Sequence, residues 1–226
     1  MASSTPHRTF ITGLLLLTAA TGAIDAVSYL ALDKVFTGNM TGNVLFLGFA
    51  LVGVAGIPFL NNAVALLGFV VGSMVSGRII GRGHAKGLPR SSTWVLLTGG
   101  ALAIALAVIW TVLGELPHIW MLVVTFVLAA VMGAQVSAVK PIGNTDITTI
   151  VVTNTLANLA RDSRPGGGKG QAWVQRLLAV VSMGVGAAIG AAIINLWGGP
   201  AALFVSVGIY IVGAVTLIFA GRKQLS

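Results

Sequence analysis

Long apolar stretches separated by short polar ones run the length of this chain. A helix needs about 20 apolar residues to cross the roughly 30 Å hydrocarbon core of a bilayer. Six stretches qualify: Phe10–Leu32, Phe59–Ile80, Thr93–Leu113, Ile119–Val139, Trp173–Leu196 and Ala201–Ala220. Two others break the pattern. Phe36–Ile57 is apolar but opens with Thr37-Gly38-Asn39-Met40-Thr41-Gly42-Asn43. Ile147–Ala160 is short for a crossing and carries Thr148-Thr149, Thr153-Asn154-Thr155 and Asn158. Pro89, Pro117, Pro141 and Pro200 fall at element ends, where a missing N–H costs least. The pattern predicts an all-α polytopic membrane bundle, one domain over residues 1–226, with about six transmembrane helices and two broken or re-entrant segments.

Composition agrees. Of 226 residues, 56% are hydrophobic and 8% charged, against about 25% charged in an ordinary soluble domain. So few charges cannot coat a water-facing surface, which argues against a soluble enzyme. Disorder would need low hydrophobicity and high charge. His7-Arg8 ahead of the first apolar run imitates a signal peptide, but similar runs recur along the chain, so this one reads as a first span. Cysteine is absent, which removes disulfides and thiolate chemistry.

Charge adds topology. The formal net charge is +8. In a membrane protein such an excess belongs to cytoplasmic loops facing anionic headgroups rather than to nucleic acid. Two Gly-rich loops, Arg78–Arg90 and Arg161–Arg176, hold most of it. Thr93–Leu113 and Ile119–Val139 lie between them, and a third crossing there would put the loops on opposite sides. The positive-inside rule opposes that, so Ile147–Ala160 is expected to enter and return. For Phe36–Ile57, crossing and re-entry each leave one basic residue misplaced (Arg8 or Lys34), and charge does not separate them.

A weak internal repeat favours re-entry. Thr37, Thr41 and Asn43 align with Thr149, Thr153 and Thr155 at an offset of about 112 residues, with Gly22 near Gly133. Each half (about 10–113 and 119–221) reads as span, polar-broken segment, span, span. Matching loops carry opposite charge character, as expected of inverted halves. Inverted repeats with interrupted helices recur in secondary transporters, with the binding site at the interruptions.

The candidate site residues follow. Asp25 lies within the first span, where a carboxylate costs on the order of 3 kcal/mol. It is either a coupling or binding group or an acceptor bonded to its neighbours. Thr37, Asn39, Thr41 and Asn43 can satisfy a broken helix or line a cavity, while Gly38 and Gly42 also have helix-packing spacing. Thr149, Thr153, Asn154 and Thr155 form the matching cluster, and Asp146 before it suits a half-helix cap. Gln135 either lines the cavity or bonds across helices. Trp110, Trp120, Trp173 and Trp197 suit interfacial anchoring. No metal-ligand spacing, phosphate loop or catalytic set is present, so neither cofactor nor enzymatic activity is expected.

Gly22-Ala23-Ile24-Asp25-Ala26-Val27-Ser28-Tyr29-Leu30, followed by Val35-Phe36 and Thr37–Asn43, resembles the YoaK-like bacterial membrane family, domain of unknown function 1275. The likeness spans nearly the whole chain and is looser around Gly133-Ala134-Gln135, where Val136 replaces a frequent polar residue. The resemblance implies a multi-pass protein of the bacterial cytoplasmic membrane and brings no activity with it. The residues point to a permease or secondary transporter for a small polar solute or ion, with Asp25 as a proton-coupling candidate. A passive channel and a non-transporting scaffold use the same features. The expected partners are the lipid bilayer and that unidentified solute, with homo-oligomerisation open.

Overall fold

The computed structural model describes residues 5–83, 87–144, 146–147, 149–150, 152–168, 170 and 172–225, with side chains from Arg8 to Arg222. His84, Lys86, Thr148 and Lys169 lie outside the described residues. Among those described, the regular elements are helical: α1 (Thr5–Ala31), α2 (Met40–Leu51), α3 (Phe59–Ile80), α4 (Arg90–Leu113), α5 (His118–Val139), a 3₁₀ turn (Lys140–Ile142), α6 (Val152–Arg161) and α7 (Trp173–Leu225). Pro58, Pro89 and Pro117 stand just before α3, α4 and α5, where proline's fixed φ suits helix entry.

The turn expected at Trp197–Pro200 shrinks to one non-helical residue. Gly198 has φ 84° and ψ 176°, a conformation that a side chain would forbid. α7 therefore folds into two arms, 173–197 and 199–225. The second arm runs back along α1: Gly13 meets Leu217, Gly213 meets Leu17 and Gly199 meets Ala31. Among the described residues five helices are long and apolar enough to cross a bilayer, counting α7 once, so its two arms bring the spanning segments to six. Large apolar side chains such as Leu67, Val70, Val112 and Phe219 face outward. In water such a surface would be an aggregation hazard, whereas hydrocarbon solvates it.

Two seams hold the bundle together. α1 crosses the first arm of α7, with Gly22 against the Met183 carbonyl and Gly186 against the Ala19 carbonyl. α3 crosses α5, with Gly133 against the Phe69 carbonyl and Gly72 against the Ala130 carbonyl. At each place a Cβ would collide with the neighbouring backbone, so glycine permits the close approach that dispersion needs in lipid. Ser73 and Ser76 add hydrogen bonds from their hydroxyls to the carbonyls of Gly133 (3.1 Å) and Ala134 (3.2 Å).

Both short helices re-enter. α2 has 12 residues, about 18 Å at 1.5 Å per residue, too short to cross. The chain leaves α1, turns inward to meet Asp25, about 9 Å back along that helix, and returns outward as α2. Lys34 Nζ then donates to the Gly56 carbonyl at 3.3 Å, and Asn61 Nδ2 donates to Asp33 at 3.3 Å. The end of α1 and the start of α3 thus share one face, which resolves the alternative that charge left open. The opposite face is basic. There the Gly87 N–H donates to the Pro141 carbonyl at 3.2 Å and Gly221 adjoins Leu88. Arg78, Arg82, Lys140, Arg161, Arg164 and Arg222 gather at that end.

Candidate functional site

Asp25 organises the first broken segment. Its Oδ1 accepts the N–H groups of Thr37 (3.0 Å) and Gly38 (2.7 Å), and its Oδ2 accepts that of Asn39 (3.0 Å). Thr37 Oγ1 adds a longer bond at 3.5 Å. Three successive backbone donors converging on a carboxylate form an anion-binding concavity, here filled by the protein's own charge. Gly38 permits the approach, since a Cβ there would strike Thr21 and crowd the carboxylate. Asn39 caps α2 through its side chain, which accepts from the Gly42 N–H at 3.3 Å. Asn43, fully buried, brackets Phe36: Nδ2 donates to its carbonyl at 2.6 Å and Oδ1 accepts its N–H at 3.0 Å.

The second broken segment reaches the same place from the other half. A cavity of about 580 Å³ is lined by Asp25, Gly38, Asn39, Met40 and Thr41 on one side and by Ile150, Val152 and Thr153 on the other. Gly22, Tyr29, Phe36, Phe69 and Met183 complete the wall. Both half-helices begin at this cavity and run to opposite faces. α2 ends near Lys34. α6 ends among charged groups, where Arg176 donates to Asp146 (2.8 Å), Asp162 (2.7 Å) and the Asn158 carbonyl (2.9 Å). Arg161 and Arg176 hold the Asp162 carboxyl below its ordinary range by hydrogen bonds to its charged form.

The candidate residues divide accordingly. Asp25, Asn39, Thr41 and Thr153 line the cavity. Thr37 lies behind Asp25, bonded to it. Asn43 serves the loop backbone. Gln135 is buried and donates across helices to Thr21 Oγ1 at 3.2 Å, and it is not among the residues that line the cavity. Thr149 is buried with φ 63°, Asn154 is exposed, and Thr155 Oγ1 donates to the Asp146 carbonyl at 3.4 Å. Asp146 pairs with Arg176 through its side chain, a role different from the helix cap expected for it. Trp110 is buried on Gly199 instead of anchoring the interface.

Several wall residues escaped sequence reasoning. Tyr29 lies one helical turn beyond Asp25 on the same face, and Met183, Ala187 and Ala191 recur at four-residue spacing. That spacing was a usable signal once Asp25 was singled out. The stacking of Tyr29 on Phe36, with ring centroids 4.9 Å apart, left none, because it depends on how the loop folds back.

A family model described as "Protein of unknown function (DUF1275)" matches residues 13–216. The UPF0700 transmembrane protein YoaK of Bacillus subtilis (strain 168) is 32% identical over 157 residues, covering 69% of this chain and 67% of that protein. No solved structure matches.

Proposed function

The chain belongs to the DUF1275 family of membrane proteins of unknown function, and on that premise we propose that it is a permease for a small polar solute. One observation carries the reading: both half-helices start at one cavity, and polar groups from each line it. Interrupted helices meeting around a cavity are how membrane transporters hold solutes without exposing backbone to lipid. The solute would be neutral or positively charged. Asp25 already occupies the donor concavity ahead of α2, and no Lys, Arg or His is among the described lining residues. Tyr29, Phe36 and Phe69 would cover its apolar parts. The reading includes no enzymatic step.

The halves would move as inverted repeats. Residue numbers support this: adding 111 to the α1 positions and subtracting 114 from the α7 positions turns the Gly22–Met183 and Ala19–Gly186 contacts into Gly133–Phe69 and Ala130–Gly72. α2 and α6 begin 112 residues apart. α1 leaves the basic face and α5 returns to it, so matching helices run in opposite directions. We place the basic face in the cytoplasm of a bacterium by the positive-inside rule. Rocking of one repeat on the other would expose the cavity alternately. The position matching Asp25 in the second half is Val136, so a coupling charge would act in one half only.

The three N–H bonds to Asp25 also favour a second reading, a passive pathway in which this carboxylate only shapes the loop. Side-resolved labelling tests the permease. Thr41→Cys and Thr153→Cys, each in the natural cysteine-free background, should react with a membrane-impermeant thiol reagent from both sides of oriented vesicles. No reaction from either side would overturn transport in any form. For the coupling role, proton-gradient dependence lost in Asp25→Asn supports it, and flux unchanged in that variant assigns the passive reading.

A further inference from the structure

A second cavity lies away from the solute site, at the basic end of the α3–α5 seam. It is an open cleft of about 870 Å³, lined by Arg78 and Arg82 from the end of α3 and the turn after it, by Lys140 from the turn after α5, and by Ser73, Gly77 and Ser137 between them. Among the described residues no carboxylate pairs with any of the three cations and no Asp or Glu lines the cleft. The contrast with Arg176, held by two carboxylates, is plain. Ser73 and Ser137 already donate their protons across the seam, to the carbonyls of Gly133 (3.1 Å) and Ser73 (3.2 Å). The donors left to a ligand are therefore the guanidinium groups and the ammonium. The groove floor is open, with nothing near a Cβ at Gly77.

We propose that this cleft binds a phosphate-bearing anion, clasped by Arg78 at the end of α3, Arg82 in the turn after it and Lys140 in the 3₁₀ turn after α5. Guanidinium groups match phosphate oxygens in pairs, and basic pockets between helices at the cytoplasmic surface suit anionic headgroups. Outward-facing Met74 and Ile79 on the same stretch of α3 would meet acyl chains if the anion is a lipid. Since α3 and α5 approach closely at Gly72 and Gly133, a ligand bridging their ends would brace the seam. The proposal is independent of the solute reading.

Native mass spectrometry of the full chain in detergent tests it, with phosphatidylglycerol, cardiolipin and zwitterionic phosphatidylethanolamine as probes and pyrophosphate as competitor. The cleft variant is Arg78→Gln/Arg82→Gln/Lys140→Gln. The control, Arg8→Gln/Arg90→Gln/Arg222→Gln, removes the same charge from the same face. The anionic lipids should bind the wild type and the control at least tenfold more tightly than the cleft variant, with phosphatidylethanolamine indifferent to both changes. Displacement by pyrophosphate would assign the site to phosphate as such, and lack of displacement would assign it to the lipid headgroup. Equal losses in control and cleft variants, or no loss in the cleft variant, would overturn the proposal. If the triple variant does not fold, Arg82→Gln alone, exposed beyond α3, should weaken binding about threefold, and an unchanged affinity overturns it equally.

Discussion

Asp25 carries a formal charge into the apolar phase, and its bonds explain how it is tolerated. A carboxylate with three backbone donors exchanges water for fixed dipoles. Asp25→Asn keeps the Oδ1 acceptor but turns an amide NH₂ toward the Asn39 N–H, leaving that donor unsatisfied. We expect a loss of about 1–3 kcal/mol, read as a lower melting temperature in detergent. Asn43 and Thr41 make a sharper contrast. Asn43→Leu removes both bonds to Phe36 and should cost about 2–4 kcal/mol. Thr41→Val, at an exposed cavity-lining position, should leave stability within about 0.5 kcal/mol. Both residues were legible as polar groups in an apolar run. Their division of labour was not, because neighbouring polar residues are equally out of place in a hydrophobic pattern, and only the loop's return to Asp25 turns one inward to the backbone and the other to the cavity.

At the scale of elements, re-entry is the decisive feature. For the second segment the expectation came from charge alone, since three crossings between basic loops would violate the positive-inside rule. For the first it came from a faint repeat, and α1's end meeting Gly56 decided it. Cysteines at Lys34 and Pro58 should therefore label from one side of the membrane, and cysteines at Gly143 and Gly168 from the other. Opposite-side labelling within either pair contradicts re-entry. The end of α6 is fastened by Arg176, Asp146, Asp162 and Arg161, a clamp the sequence hid because its partners lie up to 30 residues apart. Asp162 titrates below its ordinary value of about 3.9 because it pairs with arginines. Its contribution is complete above that value and is lost as pH falls through the lowered one. The distance between spin labels at Ser163 and Val174 should hold from pH 8 to about 5 and lengthen only below about pH 4.

For the molecule as a whole, lipid is the solvent and close glycine crossings supply cohesion. The class was legible in composition because 8% charge leaves no other surface, and the spans were legible by length. The pairing of α1 with α7 and of α3 with α5 was not, since small-residue spacing marks a packing face without naming its partner. Gly186 and Gly184 separate the two properties. Gly186→Leu drives a side chain into the Ala19 backbone and should cost about 3 kcal/mol or abolish folding. Gly184→Leu, with open space around it, should be close to neutral by thermal melting.

A single measurement bears hardest on the shared cavity. In the double variant Thr41→Cys/Thr153→Cys, a short water-soluble bis-maleimide applied to intact membranes should bridge α2 to α6. A protease cut between them should then fail to separate the fragments. If the two cysteines react singly but are never bridged, or react with no aqueous reagent, the half-helices do not share a wet cavity and the permease reading fails with it.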